Sequence, residues 1–207
     1  RHNANPGSAA ISDGVGIALA SGNVEDNPYQ SATNWSYYSN TGNKYNNNSS
    51  QSYGDSWNTA GDIIGVAFDA DNGAIWFSKN GTWQNSATAS EIAAGTTTNA
   101  AFTGLTDSEG YVCVWYRTGG TNAAELDLNF GQNPSFNLEL TGGDVGTESG
   151  DGSALFKYAP PTGFKALTTS NMPDITIGPG QSSQADEHFD PLLYTGDGNT
   201  SRAITGL

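Results

Sequence analysis

Cysteine is all but absent. Cys113 stands alone among 207 residues, which excludes an internal disulfide, and its setting in YVCVW predicts a small buried hydrophobe rather than a nucleophile. Basic residues are scarce as well: seven Lys and Arg against 21 Asp and Glu give a formal net charge of −14 and a pI near 4.1. A field of that sign repels phosphate backbones and anionic lipid surfaces, so nucleic acid is not an expected partner, and solubility in salty surroundings is the plainest account of the acidity. The two histidines, His2 and His188, lie far from any Ser or Cys poised as a nucleophile, which leaves a Ser-His-Asp or Cys-His site without support. No run approaches the roughly 20 apolar residues of a membrane span, and the opening RHNANPGSAA lacks the apolar stretch of a signal peptide, so membrane insertion is not expected. A chain that begins in a polar segment without an initiator Met reads as processed or as one piece of a longer polypeptide.

What is abundant is glycine, with 27 residues, alongside runs of Asn, Ser and Thr and a charged fraction of only 14%. That composition suits short strands joined by tight turns and disfavours helices, so an all-β fold is expected. Residues 14–20 (GVGIALA) read as a strand buried on both faces. Residues 21–57 interleave Tyr29, Trp35, Tyr37, Tyr38, Tyr45, Tyr53 and Trp57 with turn-formers, a meander of strands and loops. The sharpest local signal is 61–83 (GDIIGVAFDADNGAIWFSKNGTW): Asn72-Gly73 and Asn80-Gly81 each suit a two-residue type I′ turn, which predicts two consecutive hairpins. Residues 91–101 allow either a helical turn or a loop. Residues 111–116 (YVCVWY), apolar throughout, are expected to form a central strand, and 124–130 (AELDLNF) an alternating one. Residues 141–153 (TGGDVGTESGDGS) read as a projecting acidic loop; lacking Lys, it is no phosphate cradle. Past Leu167 the composition turns to Pro, Ser and Gln. A boundary near Thr168 is therefore expected, with a linker over 168–188 and a second β module or docking hairpin over 189–207.

Three stretches, in order, carry a family likeness: NWSYYSNTGNKYNNNS with YGDSW ahead of GDIIGVAFDADNGAIWFSKNG, then LDLNFGQNP, then FKYAPPTGFKAL. Together they resemble the SPRY domain family. The resemblance implies an antiparallel two-sheet β-sandwich of concanavalin-like architecture over 1–167, a non-enzymatic binding fold without a cofactor. Such domains open with an aromatic-bearing strand ahead of the GVG-like one; only RHNANPGSAAISD precedes it here, so the first sheet is expected to lack a member. The ending HFDPLLYTGDGNTSRAITGL is similar to a repeat that follows SPRY-like domains in large structural proteins of tailed phages, which implies a virion or extracellular setting with other subunits of the assembly as partners.

Two chemistries compete with plain recognition. Glucanases of the related architecture carry acids at alternate strand positions, and Glu125, Asp127 and Asn129 have that spacing, but the third position is an amide and retaining hydrolysis needs a carboxyl pair. Asp69, Asp71 and Asn72 resemble the start of a calcium loop, yet the twelfth position from Asp69 is Asn80 rather than Glu, so no metal is expected. Aromatic rings beside amides suit a glycan or protein surface, and Tyr29, Trp35, Tyr38 and Trp83 with Asn46 and Asn47 are the candidate ligand residues. Against them stands the sandwich itself, in which about half of strand aromatics point inward. Three functions follow: a virion or fibre module recognising a host-surface protein or glycan, a glycan-active hydrolase, and a purely architectural subunit or bacterial adhesin.

Overall fold

The computed structural model describes residues 1–4, 12–22, 30–118, 125–133, 146–147, 154–168 and 171. The chain divides into one unit over Arg1–Ser170 and a second over Asn171–Leu207, and of the second only Asn171 is described. The linker and terminal hairpin expected beyond Thr168 therefore lie outside the described residues.

The elements run β1 (His2–Ala4), β2 (Ser12–Leu19), β3 (Asn34–Tyr38), β4 (Asn43–Asn46), β5 (Ser49–Ser52), β6 (Ile64–Asp69), β7 (Ala74–Lys79), β8 (Thr82–Trp83), the short helix α1 (Ala89–Ala93), β9 (Tyr111–Thr118), β10 (Glu125–Leu126), β11 (Gly146–Thr147) and β12 (Leu155–Phe156). A five-stranded antiparallel sheet ordered β5-β4-β3-β2-β9 faces a three-stranded one ordered β6-β7-β8, with small ladders β1-β10 and β11-β12 beside them. This is the all-β sandwich the composition called for.

Alternation along β2 explains how the layers pack. Val15 and Ile17 turn inward and join Tyr37, Tyr53, Trp57, Ile75, Phe77 and Leu105 in the main core. Gly14 and Gly16 turn outward, where side chains would collide: the Tyr116 ring lies over Gly14 and its hydroxyl meets Ser36 Oγ at 2.8 Å, while a Cβ on Gly16 would sit 1.9 Å from Trp35 O. A second layer forms behind β7, where Trp76, Ala74 and Ala67 pack with Ile92, Ala87 and Ala100 and the Trp76 indole meets Phe164 edge-on at 6.4 Å. Each large apolar side chain so enclosed contributes about 1.5–3 kcal/mol. Helix α1 is what closes this layer. Thr88 and Glu91 form a reciprocal capping box, with Thr88 Oγ1 accepting from Glu91 N at 3.2 Å and Glu91 Oε2 accepting from Thr88 N at 2.9 Å. That box makes Ala89–Ala93 a helix where sequence alone allowed a loop.

Other expectations are corrected. Asn80 (φ 48) and Gly81 (φ 82) do form a two-residue reversal between Lys79 and Thr82, but Asn72-Gly73 does not, for Asp69 pairs with Ala74 across a four-residue loop in which only Gly73 (φ 59) is left-handed. The cause is Asp69, whose two carboxylate oxygens accept from Asn72 N at 3.0 Å and Asn72 Nδ2 at 2.7 Å and so hold the wider turn. Asn47 (φ 51) and Asn48 (φ 60) supply a further two-residue reversal between Asn46 and Ser49 that lacks any glycine. Among the described residues the YVCVWY strand is not central, since β9 is the edge of its sheet, and Cys113 is exposed rather than buried, although partial desolvation still raises its thiol pKa. The AELDLNF strand stops at Leu126, because Asn129 Oδ1 accepts from Gly131 N and Asn133 N, both at 2.9 Å, and folds the chain into a loop. Within the expected 141–153 loop, Gly146–Thr147 pairs with Leu155–Phe156; the rest of that segment lies outside the described residues.

The leading segment, from which no strand was expected, supplies β1. It pairs with β10, while His2 N donates to Asp62 O and His2 O accepts from Gly61 N, both at 2.8 Å. The His2 ring is enclosed, with Nε2 at 3.1 Å from Asp13 Oδ2 and the Trp57 indole edge-on at 6.2 Å.

Candidate functional site

The candidate aromatics do not converge. Trp35 turns inward on β3, half-buried against the main core with Tyr111 edge-on at 5.9 Å. Tyr38, three residues on, belongs to the opposite face and lies against Tyr45 at 5.0 Å between ring centroids. Asn46 spends its side-chain amide within the fold, donating to Ala32 O at 3.0 Å and Asn34 O at 2.8 Å. Asn47 is exposed at its turn, its left-handed backbone explaining the residue type without a ligand. Tyr29 lies outside the described residues.

Trp83 is different. It lines a surface cleft of about 580 Å³ walled by residues 52–55 on one side and 82–86 on the other. The wall is built from the core outward. Tyr53 hangs its ring among Tyr37 and Phe77 and fixes its hydroxyl by accepting from Phe77 N at 3.0 Å. Burial pushes the Tyr53 phenol up to about 12, and burial with nearby acidic groups drives that of Tyr37 higher still. Gln84, buried at the cleft floor, ties the two walls together: its Oε1 accepts from Asp55 N at 2.7 Å and its Nε2 donates to Thr82 O at 2.8 Å. The Tyr37 hydroxyl donates to Asp55 O and reaches the same Oε1 at 3.5 Å. Asn85 (φ 55) and Ser86 (φ 61) then turn left-handed at the rim and are exposed. Such a cleft sets the half-buried Trp83, packed inward against the Trp76 layer, beside hydroxyl, amide and carboxylate groups.

Of the residues lining this cleft, Trp83 is among the candidates named from the sequence, while Ser52, Asp55, Gln84 and Asn85 are not. Only the Gln-Asn-Ser run directly after the hairpin pointed there, and nothing in the sequence shows that it meets 52–55. A second cleft of about 420 Å³ opens where Phe68 and Asp71 approach Leu105, Asp107 and Tyr111, with acidic and apolar walls.

The residues of the two competing chemistries are placed as follows. The alternation of Glu125, Asp127 and Asn129 along one strand ends at Leu126, and the Asn129 amide is committed to its loop, with Nδ2 donating to Leu155 O at 3.0 Å. Asp69, first residue of the calcium-like run, is committed to Asn72. Among the described residues no three His, Cys, Asp or Glu side chains gather as a metal set, and no helix is long and apolar enough to cross a membrane.

No curated protein matches the chain. A family-wide profile of the SPRY domain does, over residues 11–133. The match spans more than half of the chain and takes in both facing sheets, the Trp83 cleft and the LDLNFGQN stretch. Domains of this kind mediate protein–protein interaction. Sequence profile and sandwich agree, and the chain belongs to the SPRY domain family.

Proposed function

We propose that this chain is a non-enzymatic recognition module of a larger virion or extracellular assembly, and that it engages a protein or glycan surface through the Trp83 cleft. The observation that carries the reading is the Gln84 junction. A cleft whose two walls are cross-linked by buried hydrogen bonds presents its rim groups already ordered, so a ligand does not have to supply that ordering. The virion setting is supported by the phage-like ending HFDPLLYTGDGNTSRAITGL, and an extracellular one by a chain rich in Asn, Gly and Thr with a single cysteine.

The test is a screen of the protein against immobilised glycans and a displayed peptide library. A ligand should emerge whose affinity falls roughly tenfold or more in Ser52→Arg, which fills the cleft from an exposed strand position, and in Asn85→Ala at the rim. Ser52→Arg lies on the surface and leaves the melting temperature near that of the parent, while Asn85→Ala, at a left-handed backbone position whose amide donates to Asn99 O, lowers it by a few degrees and is assayed well below its midpoint. Binding that survives both variants overturns the assignment of the cleft. Release of sugar from polysaccharides, abolished in Glu125→Gln, overturns the non-enzymatic reading itself.

A further inference from the structure

Among the described residues a different flank of the sandwich is open. Strands β9 and β6 are each the last member of their sheet, so neither has a strand on its outer edge among the described residues. They lie on the same side of the molecule, since Phe68 of β6 meets Tyr111 of β9 at 5.0 Å, ring edge to ring face. Inward-facing positions beyond that contact should be covered by core. They are not: Val66 on β6 is 45% exposed and Trp115 on β9 is 44% exposed, with Cys113 exposed between Tyr111 and Trp115. An unpaired backbone edge above uncovered inward side chains is the geometry that accepts an added strand, with the ladder supplying affinity and alternate side chains filling the gap between the sheets.

We propose that this flank binds an extended segment of a partner protein, added antiparallel or parallel to β9, with apolar residues at every second position and basic residues between them. The basic requirement comes from charge. The end of the flank at Tyr111 carries Asp71, Asp107 and Glu109, all exposed, on a chain of net charge −14. A second copy of the same acidic chain would bring like charge against that end, whereas Lys or Arg on the incoming strand is attracted to it. The surface is separate from the Trp83 cleft, so either can be occupied without the other.

The experiment uses the full chain and an end-blocked peptide of alternating Val and Lys, matched to the eight residues of β9. Titration is followed by calorimetry and by amide exchange. The expected result is saturable binding that slows exchange in β9, weakened roughly tenfold or more by Trp115→Lys and Cys113→Lys. These surface substitutions leave the melting temperature in place, and Ser52→Arg leaves peptide binding unchanged. A peptide of equal charge with Pro at alternate Val positions, unable to donate to a ladder, should not bind. Equal binding of that Pro peptide means charge attraction alone and overturns the proposal, as does the absence of any binding. Sedimentation showing a dimer broken by Trp115→Lys would make the occupant a second copy and would equally overturn it.

Discussion

Strands β7 and β9 read almost alike in sequence and end in opposite situations. AIWFSK and YVCVWY are both apolar runs without clean alternation, the pattern of a strand covered on two faces. For β7 the pattern tells the truth: Ala74, Ile75, Trp76, Phe77 and Ser78 are all buried, with the five-stranded sheet on one side and α1 with Phe164 on the other. For β9 it misleads, because Val112, Cys113 and Trp115 are exposed at the rim of the sheet. A continuous apolar run therefore states that a strand wants cover without stating whether the same chain provides it. Where it does, the residues stabilise; where it does not, they are available to something else.

That contrast can be broken by measurement. Trp76→Ala should show the largest effect, a loss of about 3–5 kcal/mol in urea unfolding, since the enclosing residues cannot collapse into the vacated volume. A loss below about 1 kcal/mol would place β7 in the same class as β9. Gly73→Val, at the turn feeding β7, should cost about 1–3 kcal/mol in strain from the left-handed backbone alone, and its Cβ would stand 2.9 Å from Leu105 N. Unchanged thermal stability in that variant would refute the turn geometry. Alkaline unfolding comes next. The Tyr53 phenol that accepts from Phe77 N is neutral in the fold up to about 12, against an ordinary value of 10.0. Its contribution is complete below pH 10 and is lost as pH rises toward 12, because the unfolded chain ionises first. Denaturation curves from pH 9 to 12 should show that decline, and Tyr53→Phe should make it shallower, with the buried Tyr37 phenol supplying the remainder. Asp69→Ala, which removes both bonds to Asn72, should cost about 1 kcal/mol. Trp115→Ala on β9 should fall within roughly 0.5 kcal/mol of the parent, the smallest effect of the set.

Much of the sandwich was legible before any coordinates. Glycine and asparagine marked the reversals, and the run from Gly61 to Trp83 gave both hairpins, because positive φ is a property of those residues themselves. Two of the corrections share one physical origin, competition from a neighbouring side chain. Asp69 widened the Asn72-Gly73 turn and Asn129 pulled LDLNF out of its strand, while the Thr88–Glu91 box selected helix over 89–93 where helical turn and loop had both stood open. The candidate site was harder to foresee. Trp83 was named as an aromatic near amide side chains, but Ser52 and Asp55 come beside it only through long-range packing of Tyr37 and Tyr53, and no local pattern records that.

The junction at Gln84 has one more consequence. Its carbonyl oxygen is shared between the surface backbone at Asp55 and the hydroxyl of Tyr37, a residue with no exposed area. A change at Tyr37 would thus be felt at the rim without touching it, and a change at Gln84 would loosen the interior. In the descent of such sequences positions 37, 55 and 84 should drift together or stay still together, leaving the exposed Ser52 the freest of the lining positions to vary.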